Sequence, residues 1–131
     1  MKVLVLGGYG EFGGRLCRLL LRDGHEVVVA GRSLQAAQRF CQQHGGTPLS
    51  IDIHSDIHLI ESQSPDAVVD AVGPYQSYGD DPYRLARAVL NAGAHYLDLS
   101  DSGEFTAGIT ELDGAAKDAG LLEDKIQQVW D

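Results

Sequence analysis

Val3-Leu4-Val5-Leu6-Gly7-Gly8-Tyr9-Gly10-Glu11-Phe12-Gly13 is the stretch on which the fold of this chain turns. Four apolar residues run without interruption, a glycine cluster follows, and a helical pattern begins. A continuous apolar run suits a parallel strand buried on both faces, so a strand is expected over 2–6. Gly8, Gly10 and Gly13 have the spacing G-x-G-x-x-G. In a strand–turn–helix unit the first glycine permits a tight turn, the second lets a pyrophosphate approach the backbone, and the third lets helix and strand pack closely. A phosphate at the helix N-terminus then meets free N–H groups and the positive end of the macrodipole. Sixteen glycines make a chance match easy, and a turn that binds nothing is the competing reading. The strand before the motif and the helix after it favour the nucleotide.

The chain has 131 residues, enough for one domain with a core and too few for two. Its net charge of −9 argues against nucleic acid or an anionic membrane as partner. It does not argue against a phosphorylated cofactor, whose site is local. No apolar run reaches transmembrane length, and the start is too short in apolar residues for a signal peptide. Cys17 and Cys41 stand far apart in sequence, outside any C-x-x-C, each on an apolar helix face. Two buried thiols and a reducing, cytoplasmic compartment are expected.

Outward from the motif, Phe12, Leu16, Leu19 and Leu20 give one apolar face to a helix over 11–23, closed by Gly24. A second strand is expected over 26–30. An NAD-selective site places an Asp or Glu after this strand for the ribose 2′-hydroxyl. Here the sequence reads Ala30-Gly31-Arg32-Ser33, with no carboxylate between Glu26, at the wrong end of the strand, and Asp52. A guanidinium at position 32 suits a 2′-phosphate and the face of adenine. Ser33 offers a hydroxyl donor and a cap for the next helix, over 34–44. An NADP preference follows; the competing reading is a solvated arginine.

A third strand is expected over 48–51, ending in Asp52-Ile53. Asp52 suits the adenine amino group and equally suits a helix cap. A helix over 55–62 follows. His54 and His58 are four apart, but H-E-x-x-H is absent and no metal is expected. A fourth strand over 67–71 leads into Val72-Gly73-Pro74-Tyr75, at the switch point where a dinucleotide lies. A helix over 82–91, a fifth strand over 95–99 and a glycine-interrupted helix over 104–118 complete the pattern. Asp98, Asp101 and Glu104 sit at or beyond the fifth strand end, suited to positioning a cationic substrate, to acid or base work or, more simply, to capping. Leu122, Ile126, Val129 and Trp130 form the apolar face of a tail helix within 121–131, expected to cover an exposed sheet edge. The expected fold is therefore α/β, a doubly wound, mostly parallel sheet with helices on both faces and strand order 3-2-1-4-5. One domain over 1–120 carries it, with the tail outside.

Four stretches together resemble the N-terminal NADP-binding, Rossmann-type domain of the saccharopine dehydrogenase and saccharopine reductase family: Val5–Gly13, Val29-Ala30-Gly31-Arg32-Ser33, Val72-Gly73-Pro74-Tyr75 and Tyr96-Leu97-Asp98-Leu99-Ser100. The likeness extends over about 2–120. It implies Gly8, Tyr9, Gly10, Glu11, Phe12 and Gly13 around the pyrophosphate, and Gly31, Arg32 and Ser33 at the 2′-phosphate. It further implies Asp52 and Ile53 beside adenine, and Val72, Gly73, Pro74 and Tyr75 toward the nicotinamide. In that family a strand and then a larger substrate domain follow the fifth helix. Here a helical tail follows Gly120, so no catalytic residue is carried over. Two functions fit: the cofactor half of an NADP-dependent oxidoreductase whose substrate domain or oligomeric partner lies elsewhere, or a non-catalytic NADP(H)-binding module. The short-chain dehydrogenase pattern of Tyr four before Lys is absent: Tyr75, Tyr78, Tyr83 and Tyr96 precede Gly79, Pro82, Arg87 and Ser100.

Overall fold

The apolar run at the start of the chain becomes the centre of a sheet. The computed structural model describes residues 1–72 and 84–98. Five strands, β1 (Lys2–Leu6), β2 (Glu26–Gly31), β3 (Thr47–Ser50), β4 (Ala67–Asp70) and β5 (His95–Asp98), lie in the order β3-β2-β1-β4-β5. Every pairing is parallel, with Val3 opposite both Val27 and Ala67. Four helices connect them: α1 (Glu11–Arg22), α2 (Leu34–His44), α3 (Leu59–Ser62) and α4 (Arg84–Asn91). The doubly wound arrangement and strand order expected from the sequence are those observed.

Side chains alternate across a strand, so each apolar run feeds two cores. Val3, Val5, Val27, Val29, Ala67 and Val69 pack with Leu16, Cys17 and Leu20 of α1 and Ala37 of α2. Leu4, Leu6, Val28, Ala30, Val68 and Tyr96 pack with Ile51, Ile53, Ile60, Leu85 and Val89 on the other face. Each fully buried aliphatic side chain stabilises the fold by roughly 1.5–3 kcal/mol before entropy is counted. Two-sided burial explains why β1 and β2 read as unbroken apolar runs.

The helix expected over 55–62 is reduced to α3. Carboxylates draw the preceding residues into a turn instead. Asp52 Oδ1 accepts from the His54 N–H at 2.9 Å, and Asp56 Oδ2 accepts from the Asp52 N–H at 3.1 Å. Such local side-chain bonds compete with helical ones. His54 therefore lies in a turn and His58 precedes α3, so their spacing does not fall on one helix. Among the described residues, no three His, Cys, Asp or Glu side chains are grouped to hold a metal. β3 starts one residue early, at Thr47, and carries Pro48 on the sheet edge, where a missing N–H costs least. Among the described residues no helix is long and apolar enough to cross a membrane. The expected helices over 104–118 and 121–131, and the loop Gly73-Pro74-Tyr75, lie outside the described residues.

Cys17 is buried and Cys41 half-buried, both free thiols. Far apart in sequence, they pack against the same face of the sheet. Burial first, and then the neighbouring Cys41, pushes the Cys17 thiol up to about 12 from its ordinary 9.0. In the unfolded chain this thiol ionises near the ordinary value, so between the two values the unfolded state holds fewer protons. Stability is thus fully present below pH 9 and falls as pH rises toward 12. We expect the drop in melting temperature between about pH 8 and about pH 10.5 to be smaller in Cys17→Ala than in the parent. We also expect Cys17 to resist thiol reagents at neutral pH until the protein is denatured.

Candidate functional site

The strand order reverses at β1, between β2 and β4, and the crevice beyond the carboxyl ends of these strands is where an open α/β sheet takes ligands. The glycine turn is tied to both neighbours. The Gly7 and Gly8 N–H groups both donate to the Ala30 carbonyl, at 2.8 and 3.2 Å. On the other side the Ala71 N–H donates to the Leu6 carbonyl at 2.8 Å. The left-handed residue of the turn is Gly7, with φ of 76°, one position before the motif's first glycine. Gly8 is buried in the same turn, where a Cβ would stand 2.9 Å from the Val5 carbonyl oxygen.

Gly10 is the N-cap of α1, and no side chain caps the helix. Glu11, in its first turn, approaches Arg15 at 3.9 Å. By contrast α2 is capped from within: Ser33 Oγ accepts from the Ala36 N–H at 3.1 Å. The cap expected of Ser33 is thus present, and its hydroxyl hydrogen is not consumed by it. With no side-chain acceptor at the N-terminus of α1, its first-turn N–H groups suit an anion.

After β2 the chain bends through Gly31-Arg32-Ser33. The Tyr9 ring lies over Gly31, and its hydroxyl oxygen accepts from the Ser33 N–H at 3.0 Å. A Cβ at position 31 would stand 2.5 Å from the tyrosine ring and hydroxyl. The Arg32 carbonyl accepts from Ser50 Oγ at 3.3 Å, and the Gly31 carbonyl from the Ile51 N–H at 2.8 Å. The loop that carries Arg32 is thereby held from above by Tyr9 and from β3 by Ser50 and Ile51. Among the described residues the Arg32 guanidinium enters no ion pair.

At the end of β4 lies the buried carboxylate of Asp70, only 2% exposed. Its Oδ1 accepts from the Val72 N–H at 3.0 Å and its Oδ2 from the Tyr96 hydroxyl at 3.1 Å. Asp70 therefore fastens β4 to β5 and sets the direction in which the chain leaves the sheet.

These segments enclose a cavity of about 370 Å³. Leu6, Gly7, Tyr9 and Gly10 line it from β1 and its turn, Gly31 and Arg32 from β2, Ile51 through His54 from β3, and Ala71 and Val72 from β4. Of the residues singled out in the sequence, Tyr9, Gly10, Gly31, Arg32, Asp52, Ile53 and Val72 come together here. Ser33 adjoins through its bond to Tyr9. Gly8 and Gly13 are buried behind the lining, while Glu11 and Phe12 are exposed in the first turn of α1 and do not line the cavity. Sequence reasoning missed Asp70, Tyr96 and Ser50. A carboxylate closing an apolar strand, as Asp70 closes Ala67-Val68-Val69, was the available signal.

A family model described as the saccharopine dehydrogenase NADP binding domain matches residues 3–122. Among solved structures, the apo saccharopine dehydrogenase (L-Glu forming) of Saccharomyces cerevisiae aligns with a TM-score of 0.63 at 20% identity, over 82% of this chain and 23% of its own. A UDP-glucose-4-epimerase of Stenotrophomonas maltophila, crystallised with NAD, aligns with a TM-score of 0.57 at 23% identity, over 75% of this chain and 36% of its own. A short chain dehydrogenase/reductase family protein aligns at 0.63 and 18% identity, over 86% of this chain and 65% of its own. At these identities the likeness is one of fold, and the chain spans less than two thirds of each. No curated protein matches. The family match covers nearly the whole chain, the fold agrees with it, and the uncapped α1 suits the phosphates of a dinucleotide: the chain belongs to the saccharopine dehydrogenase NADP binding domain family, and its cofactor is NADP.

Proposed function

We propose that this chain holds NADP(H) across the carboxyl edge of its sheet, with the adenosine 2′-phosphate at Arg32 and Ser33. Gly8, Tyr9, Gly10, Glu11, Phe12 and Gly13 surround the pyrophosphate at the start of α1. Asp52 and Ile53 flank adenine, and Val72, Gly73, Pro74 and Tyr75 lie toward the nicotinamide. The observation that carries this reading is Arg32 itself: a guanidinium without an ion-pair partner among the described residues lines the cavity where an NAD site has a carboxylate. The bound cofactor supplies a hydride; the chain's own part is to bind and orient it.

The chain is then the cofactor half of a saccharopine dehydrogenase-like oxidoreductase. Its substrate contacts come from a further domain or from a second copy. The binding unit is residues 1–120, with 121–131 outside it, and the free thiols suit the cytoplasm. Titration of the purified chain with NADPH and NADH tests the cofactor assignment. NADPH is expected to bind at least ~30-fold more tightly, roughly 2 kcal/mol, within reach of one or two charge-assisted hydrogen bonds. Arg32→Ala should bring the two affinities within a few-fold of each other. Equal affinities in the parent protein would overturn the 2′-phosphate assignment. Acceptor-dependent turnover by this chain alone would overturn the need for a second domain.

A further inference from the structure

The geometry points to Tyr9 as a third recognition element for the 2′-phosphate: its hydroxyl, locked by the Ser33 N–H, donates its own hydrogen to the phosphate beside Arg32. The inference rests on the assignment of the 2′-phosphate to Arg32 and Ser33 and adds a residue from a different element to cofactor selection.

A phenol oxygen accepts and donates at once. Here its acceptor side is occupied by the Ser33 N–H at 3.0 Å. That is the sole bond of the Tyr9 side chain among the described residues, so the hydroxyl hydrogen has no protein acceptor there. The side chain is half-buried, lines the same cavity as Arg32, and rests on Gly31. Gly31 is matched to it, since a Cβ there would stand 2.5 Å from ring and hydroxyl. The Ser33 backbone N–H, which would otherwise be a direct phosphate donor, is thus converted into an oriented O–H donor.

The chemistry selects between cofactors. A 2′-phosphate is an acceptor only, and the loop offers it the Arg32 guanidinium, the Ser33 hydroxyl hydrogen and the Tyr9 hydroxyl hydrogen. A ribose 2′-hydroxyl has a hydrogen of its own to place. Asp52 is the one carboxylate among the described lining residues, and its Oδ1 accepts from the His54 N–H. An O–H···O⁻ bond to phosphate is of the stronger, charge-assisted kind.

The test is titration of Tyr9→Phe with NADPH and NADH, beside Arg32→Ala. We expect Tyr9→Phe to weaken NADPH about tenfold, as for one hydrogen bond to a charged group, and to leave NADH within about twofold. An equal loss for both cofactors would overturn the proposal, because it would show that Tyr9 only holds the loop in shape. No change in either, or tighter NADPH binding, would also overturn it; in the second case the phenol would occupy a place the phosphate takes for itself. Gly31→Ala keeps the hydroxyl but drives the ring away, and should reproduce the NADPH-selective loss even if Tyr9→Phe folds poorly. If Arg32→Ala leaves NADPH binding intact, the underlying assignment fails. If Arg32→Ala weakens NADPH and the Tyr9 and Gly31 variants do not, only the role of Tyr9 fails.

Discussion

Gly13→Ala is expected to lower the stability of the domain by about 3 kcal/mol, and the melting temperature by about 10 °C. A methyl group at this position would overlap the Gly7 carbonyl oxygen and press on the Gly8 Cα. These are backbone atoms, and they cannot rotate aside as a side chain would. Gly7 in turn is pinned through its N–H to Ala30, at the end of β2. Relief therefore requires α1 to move away from β1 and β2, which opens the core around Leu16, Cys17 and Leu20. Gly24→Ala serves as the comparison. Gly24 has φ of 86° and nothing within 4 Å of the added carbon, so only left-handed strain is felt, about 1 kcal/mol. Thermal denaturation of the two variants separates overlap from strain. Equal losses would mean that the contact between α1 and the turn is looser than the structure has it.

The second large effect is expected at Asp70. Asp70→Ala removes the acceptor of two hydrogen bonds, from the Val72 N–H and the buried Tyr96 hydroxyl. A loss of about 3 kcal/mol is expected, since buried donors stripped of an acceptor cost more than the bonds are worth. Tyr96→Phe removes one of these bonds and should cost about 1 kcal/mol. Asp70→Asn keeps the shape and a carbonyl for Val72, and should fall between parent and alanine variant. The three melting curves apportion the network, and a double-mutant cycle of Asp70→Ala with Tyr96→Phe gives the coupling. Because Val72 lines the cavity, Asp70→Ala should also weaken cofactor binding beyond what its loss of stability explains. A loss in Asp70→Ala no greater than in Tyr96→Phe would show that the Val72 bond carries no weight.

Legibility in the sequence followed burial. β1 and β2 are apolar on every interior position because helices cover both faces, and few arrangements besides a central parallel strand need such a run. The glycine spacing, the position of Arg32 and the Ser33 cap are likewise local patterns, readable without a third dimension. What escaped is what joins distant segments. Tyr9 was legible only as a residue near the pyrophosphate, and its bond to the second loop came into view when Gly31 and Ser33 were brought beneath it. Asp70 looked like the last residue of a strand until Tyr96 reached it from β5. Cys17 and Cys41 looked unrelated until α1 and α2 were laid on one face. The region over 55–62 misled for a different reason: its apolar spacing permits a helix, while Asp52 and Asp56 supply bonds that draw its beginning into a turn.

The position of β1 has a kinetic side. The first strand of the chain is the middle of the sheet, and its two edges are filled at different times. β2 and α1 follow at once and can cover one edge with local contacts. The other edge waits for β4, where Val3 meets Ala67. At a synthesis rate of about 5–20 residues per second, that edge stays open for several seconds on the ribosome. Closing a parallel pairing across so long a segment is slow in refolding as well. The half-built β3-β2-β1 unit, apolar and unpaired on one side, is the species on which aggregation of this domain would be expected to start.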